Sequence, residues 1–576
     1  MRRLVSVVIM AGTVGACEEE LVLTTIELVP HDTTIWQDET AELAVEFYDQ
    51  HGGVISVLAA DAKWQSGDPS VLAVNEGLVV PVGHGAAMVT VSAPGKDGPV
   101  EGQAAVTIRQ VHMIRTAAAY ITQVNQNPTD PIPLIAMRKG ILRVHATYTE
   151  PLDFDPPEAR VVLKNGDAVL VDTILQQVTP EILQEIDQSD YDHSYNLEVP
   201  AEHVREGLAA QIIYDPHDRE RVIAGGDTVA YQVVELSVQK QMMVPVVAQA
   251  HPNRRPEDWV ADMVEDGSTP PKARAILPIA DQLLVGHETF ETDLNWNTQP
   301  VNSWSRLLNE LENMRIQEGN LDHYYYGAFK PPYRSGIFGI AYGIGHPVSA
   351  GDVNQVTFSH ETGHSMNLYH APCGGAGGPD PDFPHQGGSI GFWGWNPRNN
   401  ALRDPDRWND IMGYCRDTWV SPYHFDRAMK HRLGDGADTG YRESVLVLSG
   451  TIANGIIELE PAFMAVAPAN TGGGGPCLVE GHAQDGGRAF AYRFTPHQPP
   501  HLGDGRLFTL RIPMDDLDLA SVTVSGPEGS VALTEGSTPP MAMMIDSDGQ
   551  VRAMRRNWDG SNPNGWQVVV STGLPR

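Results

Sequence analysis

The chain has 576 residues, with 73 Asp and Glu against 39 Lys and Arg, a formal net charge of −34. That length allows about four domains and several separate cores. A surface this acidic repels nucleic acid and anionic lipid alike, so neither is expected as a partner, and the acidity reads as solubility outside the cell.

Arg2 and Arg3 precede an apolar run, Leu4 to Met10, that ends at Val14-Gly15-Ala16-Cys17. This is the pattern of a secretion signal, too short to span a bilayer as a mature helix. The small residues before Cys17 resemble the bacterial lipobox, which implies a lipidated Cys17 as the new N-terminus. Ordinary signal cleavage, or Cys17 as a spectator, is the alternative. The expected location is the bacterial outer membrane or cell surface through a lipid anchor, or the medium. Export makes disulfides permissible.

Residues 21–110 read as short strands: Leu21–Leu28, Glu42–Tyr48, Ala62–Ser66 with Trp64 placed to fill a core, Leu78–Pro81 and Ala87–Ala93, with Gly52-Gly53 and Gly67-Asp68-Pro69 as turns. The run from Trp64 to Gly85 looks like the bacterial immunoglobulin-like domains of the intimin and invasin type, which implies a spacer or adhesion module. Residues 111–238 continue with strands expected at Ala118–Val124, Ile141–Tyr148, Arg160–Leu163, Ala168–Asp172 and Val229–Val238, and a short helix at Thr179–Ile186. They are expected to form a second β-sandwich.

Residues 239–440 change character to mixed α/β. Met242–Ala248 is an apolar strand, and Trp304, Leu307, Leu308, Leu311 and Met314 give Ser303–Gln317 the spacing of an amphipathic helix. Strands follow at Tyr324–Phe329 and Gly336–Gly343, with Asp352 or Ser349 as the cap of the next helix. That helix carries His360-Glu-Thr-Gly-His-Ser-Met-Asn-Leu-Tyr-His370. His360 and His364 lie four apart on one helix face, about 6 Å from each other, which lets two imidazoles grip one zinc ion. Glu361 lies beside such a metal without ligating it, placed to take a proton from water there. His370 cannot reach from the same straight helix, so the chain must turn, and Asn367 suits a left-handed cap. Three protein ligands leave one position open, the catalytic rather than the structural pattern.

About forty residues downstream lies Asp410-Ile-Met-Gly-Tyr414. The histidine string and this segment together resemble the metzincin zinc endopeptidases, with secreted bacterial enzymes that cut mucin-like glycoproteins the nearest by eye. The resemblance implies His360, His364 and His370 as zinc ligands, Glu361 as general base and Met412 as a hydrophobic floor. It implies Tyr414 as a zinc ligand or oxyanion stabiliser, and Gly336–Gly343 as the edge strand that pairs with extended substrate. An ordinary internal strand is the other reading of that segment. Where the family has Gly this chain has Asn367, which tolerates positive φ. Cys373 follows the third ligand by three residues and Cys415 follows Met412 by three, so if both segments meet at the metal these thiols form a disulfide. Two buried free thiols is the alternative, and Cys477 is left without a role.

Phe392, Trp393 and Trp395 either wall the cleft or make the long loop's own core. Ser421-Pro422 opens a closing helix through Leu433, whose His424 and His431 read as structural or solvated. Residues 441–576 return to strands at Arg488–Phe494, Leu507–Ile512, Ser521–Ser525 and Gln567–Ser571, expected as a third sandwich, with Asp546-Ser-Asp-Gly549 as a hairpin turn. The expected fold is multidomain: a signal peptide at 1–17, an Ig-like domain at 21–110, β-sandwiches at 111–238 and 441–576, and an α/β metzincin-like protease domain at 239–440. The expected function is an exported, monomeric zinc endopeptidase acting on extracellular protein or glycoprotein. A surface glycoprotein-binding or adhesion protein with a protease-like domain, and a zinc hydrolase of esters or glycan amides, are the rivals.

Overall fold

A computed structural model describes residues 20–56, 61–148, 155–179, 183–219, 222–224, 228–265, 271–332, 336–434, 440–514 and 518–575. The signal segment and Cys17 lie outside the described residues, as do residues 180–182 of the expected short helix, and the rest of that helix is not helical. The chain is mostly strand and multidomain, with five α-helices among the described residues: α1 (Arg255–Glu265), α2 (Pro271–Ile276), α3 (Pro300–Gln317), α4 (Gln355–Ser365) and α5 (Pro422–Leu433). It divides into two compact units, one made of Met1–Arg115, Tyr148–Ala159 and Ile213–Gly225, the other of the remainder.

The first unit is all β in its N-terminal part. Gly85–Gly95 and Gly98–Arg109 form a long antiparallel hairpin flanked by Lys63–Ser66 and Asp32–Trp36. Alternation decides its inner face: Ala87, Val89, Val91 and Ala93 are buried while Met88, between the first two, is exposed. Trp64 is half-buried and packs against this core from its side rather than filling its centre.

The second unit is organised on a nine-stranded sheet. Its central strand, Gln239–Ala248, pairs in parallel with Gln282–Gly286, Phe290–Thr292 and Tyr324–Ala328. This strand is apolar on both faces, so it must be covered on both. Met242, Val244 and Val246 pack with Trp304, Leu307 and Leu311 of α3, whereas Met243 packs with Val260 of α1 and Phe358 of α4. Beyond Tyr324–Ala328 comes Val348–Gly351 in parallel, and the sheet ends on Gly339–Ala341, an antiparallel edge strand.

On its other side the sheet draws strands from beyond residue 441. Phe290–Thr292 pairs in parallel with Val551–Arg556, which leads to Met541–Ile545 and then Gln567–Ser571. Gln567–Ser571 therefore forms as a strand but pairs here rather than in a C-terminal sandwich. The reason is local: Met541, Ala542, Met543 and Met544 are all buried, a run with no polar face for the outside of a sandwich. Arg556 on this hairpin forms ion pairs with Asp293, Glu310 and Glu460. Asp546–Gly549 is the hairpin's turn, Asp546 N–H donating to Gln550 O at 3.0 Å.

The sandwich that does form uses two four-stranded sheets, one around Arg442–Ala453, the other around Cys477–Ala483 and Leu519–Gly526. Leu448, Val479, Phe508, Val522 and Val524 fill it, and Cys477 is a buried free thiol in the same core.

Candidate metal centre

Helix α4 starts from Asn354, whose side-chain oxygen accepts from Val356 N–H at 3.1 Å and Thr357 N–H at 2.9 Å. Neither expected cap serves. Ser349 is paired in the sheet opposite Tyr326, and the Asp352 carboxylate takes Lys330 at 2.8 Å and Val353 N–H at 2.8 Å. From this start α4 carries His360, Glu361 and His364, all buried.

The helix ends in a Schellman cap. Asn367 stands at φ +67°, Asn367 N–H donates to His364 O at 3.0 Å, and Leu368 N–H donates to Gly363 O at 3.1 Å. The left-handed residue turns the chain back, as its type allows. His370 thereby returns to the ring pair it would otherwise leave behind.

The Nε2 atoms of His360 and His370 each lie 3.1 Å from Nε2 of His364. Each ring is held from behind: Nδ1–H donates to Ile411 O at 2.8 Å from His360, to Leu368 O at 2.8 Å from His364, and to Gly377 O at 2.6 Å from His370. Those bonds fix the tautomer that leaves the Nε2 lone pair facing inward. Burial lowers His360 and His370 to about 4 and His364 further, so all three rings are neutral. Three buried acceptors in mutual contact repel unless a cation sits among them, and the spacing is close to the roughly 3.3 Å edge of a tetrahedral zinc–imidazole site. The residues fit a metal ion.

Glu361 adjoins this cluster at 2 % exposure, and burial pushes its carboxyl up to about 8. The edge strand approaches it closely: a Cβ on Gly339 would lie 2.6 Å from Glu361 Oε1 and 2.6 Å from Thr357 Cγ2. A second glycine does the same below. A Cβ on Gly363 would lie 2.6 Å from Met412 Sδ, so the absent side chain admits the methionine directly under α4.

The Met412 segment is held rigidly. Cys373 and Cys415 are disulfide-bonded with Cα atoms 5.6 Å apart, which joins the chain after His370 to the chain after Met412. Asp410, fully buried, accepts from Met412 N–H, Ser421 N–H, Ser421 Oγ–H and His424 Nδ1–H at 2.7–2.9 Å. Burial alone would raise its carboxyl, but the His424 charge and these hydrogen bonds hold it below the ordinary value. His424 is thus structural, and Ser421 caps α5. Asp410→Ala leaves four donors without an acceptor and is expected to destabilise the protein by about 3–5 kcal/mol. Urea unfolding with zinc present measures this, and a loss below 1 kcal/mol would refute the anchoring role.

The cluster opens on a cleft of about 1130 Å³ lined by Ile337, Gly339, Tyr369, Tyr414 and Pro500 among others. Trp395 lies elsewhere, fully buried, its backbone N–H donating to Val124 O at 2.6 Å, as part of the long loop's own packing. Tyr414 borders the cleft half-exposed, and its hydroxyl lies 2.6 Å from Nδ1 of His501. His501 is a residue that sequence reasoning missed. It comes from the loop between the sandwich strands Arg488–Phe494 and Arg506–Pro513 and stands with His360, His364 and His370 in one group whose ligand atoms all lie within 4.8 Å of one another.

No curated protein matches the chain. Among solved structures, the S-layer protein SbsC is 18% identical with a TM-score of 0.16 over 38% of this chain and 28% of that one, so the chain spans under a third of its length. The N-terminal eight Ig domains of the Down Syndrome Cell Adhesion Molecule give 8% identity and a TM-score of 0.23 over 39% of this chain and 26% of that one. Drosophila OTK extracellular domains 3–5 give 10% and 0.19 over 37% and 63%. Residues 316–420, the segment that carries α4, the three histidines and Met412, match the family model described as Peptidase M66, which supports a peptidase function.

Proposed function

We propose that the chain is a zinc endopeptidase of metzincin type, exported through its N-terminal signal, held at a bacterial surface by lipidated Cys17, and acting on extracellular proteins or glycoproteins. The observation that carries this reading is the convergence of three neutral Nε2 atoms, each backed by a carbonyl on its other nitrogen, beside a buried carboxylate. A zinc ion held there supplies Lewis-acid activation of a water and of the scissile carbonyl.

The protein's own groups do the rest. An extended peptide pairs along Gly339–Ala341, whose position at the sheet edge supports backbone recognition with little side-chain discrimination. Glu361 takes the proton from the attacking water and returns it to the leaving amine. Its burial suits that work, because an apolar setting favours accepting a proton over staying charged. Tyr414, kept protonated by burial, donates to the developing oxyanion once its hydroxyl is released from His501. Met412 keeps the underside of the histidine rings dry and fixed. The N-terminal Ig-like module serves as a spacer or adhesion unit.

Incubation of the protein with casein and with a mucin tests the reading. Cleavage is expected, stopping on addition of a zinc chelator and returning with added zinc. Intact substrates in every arm, with folded and zinc-loaded protein, would leave the adhesion reading in its place.

A further inference from the structure

We propose that His501 is a fourth, displaceable ligand of the metal centre, seated where the catalytic water must enter; this rests on the metal-centre reading above. The first support is symmetry. The four imidazole rings have centroid separations of 4.7 Å, 5.4 Å and 4.7 Å within the His360, His364 and His370 set, and 5.5 Å, 5.3 Å and 4.9 Å from His501 to those three. Four rings on one tetrahedral ion at Zn–N distances of about 2.0–2.1 Å have centroids roughly 5 Å apart. His501 occupies the fourth vertex.

The second support is orientation. His501 is held at the same ring atom as its neighbours, its Nδ1 lying 2.6 Å from the Tyr414 hydroxyl, which leaves Nε2 on the Glu361 side of the ring. That Nε2 is buried with no hydrogen-bond partner, 3.5 Å from Glu361 Oε1, on a side chain only 10% exposed. A buried imidazole nitrogen facing three others is an orphan without a shared ion and a ligand with one.

The third support is that the loop is built to deliver the ring. His497 and Leu507 exchange backbone hydrogen bonds of 2.8 Å and 2.9 Å at its base, Pro499 and Pro500 restrict its backbone, and Leu502 is buried in the core beneath α3. The ring lines the cleft, so the side chain's path off the ion is a rotation towards that space. A site with four protein ligands is closed in the manner of a structural zinc site. The resting centre is therefore latched, and substrate entry displaces His501, freeing the Tyr414 hydroxyl in the same motion.

The test uses the full chain loaded with zinc alone. X-ray absorption is expected to count four imidazoles on the ion in the wild type and three in H501A, with zinc affinity by chelator competition falling at least tenfold, since even outer-shell changes cost about 10–100-fold. If the latch holds nine molecules in ten, cleavage of an unstructured peptide by H501A rises about tenfold. H501Q keeps a polar side chain should the alanine variant misfold, and Y414F, which removes the hydroxyl bonded to Nδ1, moves affinity the same way by less. Three imidazoles in the wild type, or unchanged zinc affinity in H501A, overturns the proposal while leaving the three-histidine centre intact. Loss of cleavage in H501A with zinc retained also overturns it, making His501 a transition-state group. A wild type that takes up no zinc overturns the metal-centre reading itself.

Discussion

Glu361→Gln removes peptide cleavage while the protein keeps its full complement of zinc. The carboxylate is the one group at the cluster able to accept a proton without being needed as a ligand, and it lies 2% exposed beside the rings. The amide is isosteric, so the close approach of Gly339 to the side-chain oxygen is preserved and the fold is not disturbed. What disappears is proton transfer, a contribution of about 10²–10⁴ in rate for a positioned acid–base group. The outcome is read as kcat on a quenched-fluorescent peptide alongside metal analysis of the same preparation. A variant with near wild-type kcat would exclude Glu361 as the base; one without metal would show that it supports the site instead.

His364→Ala acts earlier, on the metal itself. His364 is the ring whose Nε2 lies 3.1 Å from both of its partners, so its removal leaves two donors without the link between them. Zinc content is expected to fall to background and activity with it. Stability supplies a second readout. A ligand at a thousand times its Kd that binds only the folded state stabilises it by about 4 kcal/mol. Wild-type protein is therefore expected to gain that much on zinc addition, and His364→Ala to gain nothing. Equal zinc responses in the two would show that the ion binds elsewhere.

What could be read in advance follows the range of the interactions involved. The helix carrying His360 and His364, the left-handed Asn367 and the Ser421-Pro422 start of α5 depend on residues within a turn of each other, and each formed as its local chemistry requires. The Cys373–Cys415 bond spans 42 residues yet was legible, because each cysteine stands three residues from a group expected at the same centre. The cap of α4 was misread because Ser349 and Asp352 have the right side chains, but sheet pairing claims the first and Lys330 the second. His501 gave no sign. It belongs to a proline-rich loop of the sandwich, beyond residue 420 where the family match stops, and only tertiary structure brings it to α4. Gln567–Ser571 was legible as a strand from its run of β-branched Val568, Val569 and Val570, but strand propensity does not name the partner.

The last hairpin has an implication for how the molecule comes to life. With Val551–Arg556 laid against Phe290–Thr292 and Arg556 tied to Asp293 and Glu310, the sheet beneath the histidines waits for residues translated some 260 positions later. A nascent chain paused short of them holds the whole histidine string and Met412 but presents Phe290–Thr292 as an open border and lacks the buried cation that neutralises Glu310. On the proposed function, activity then depends on this downstream hairpin being in place and not on the histidine string alone.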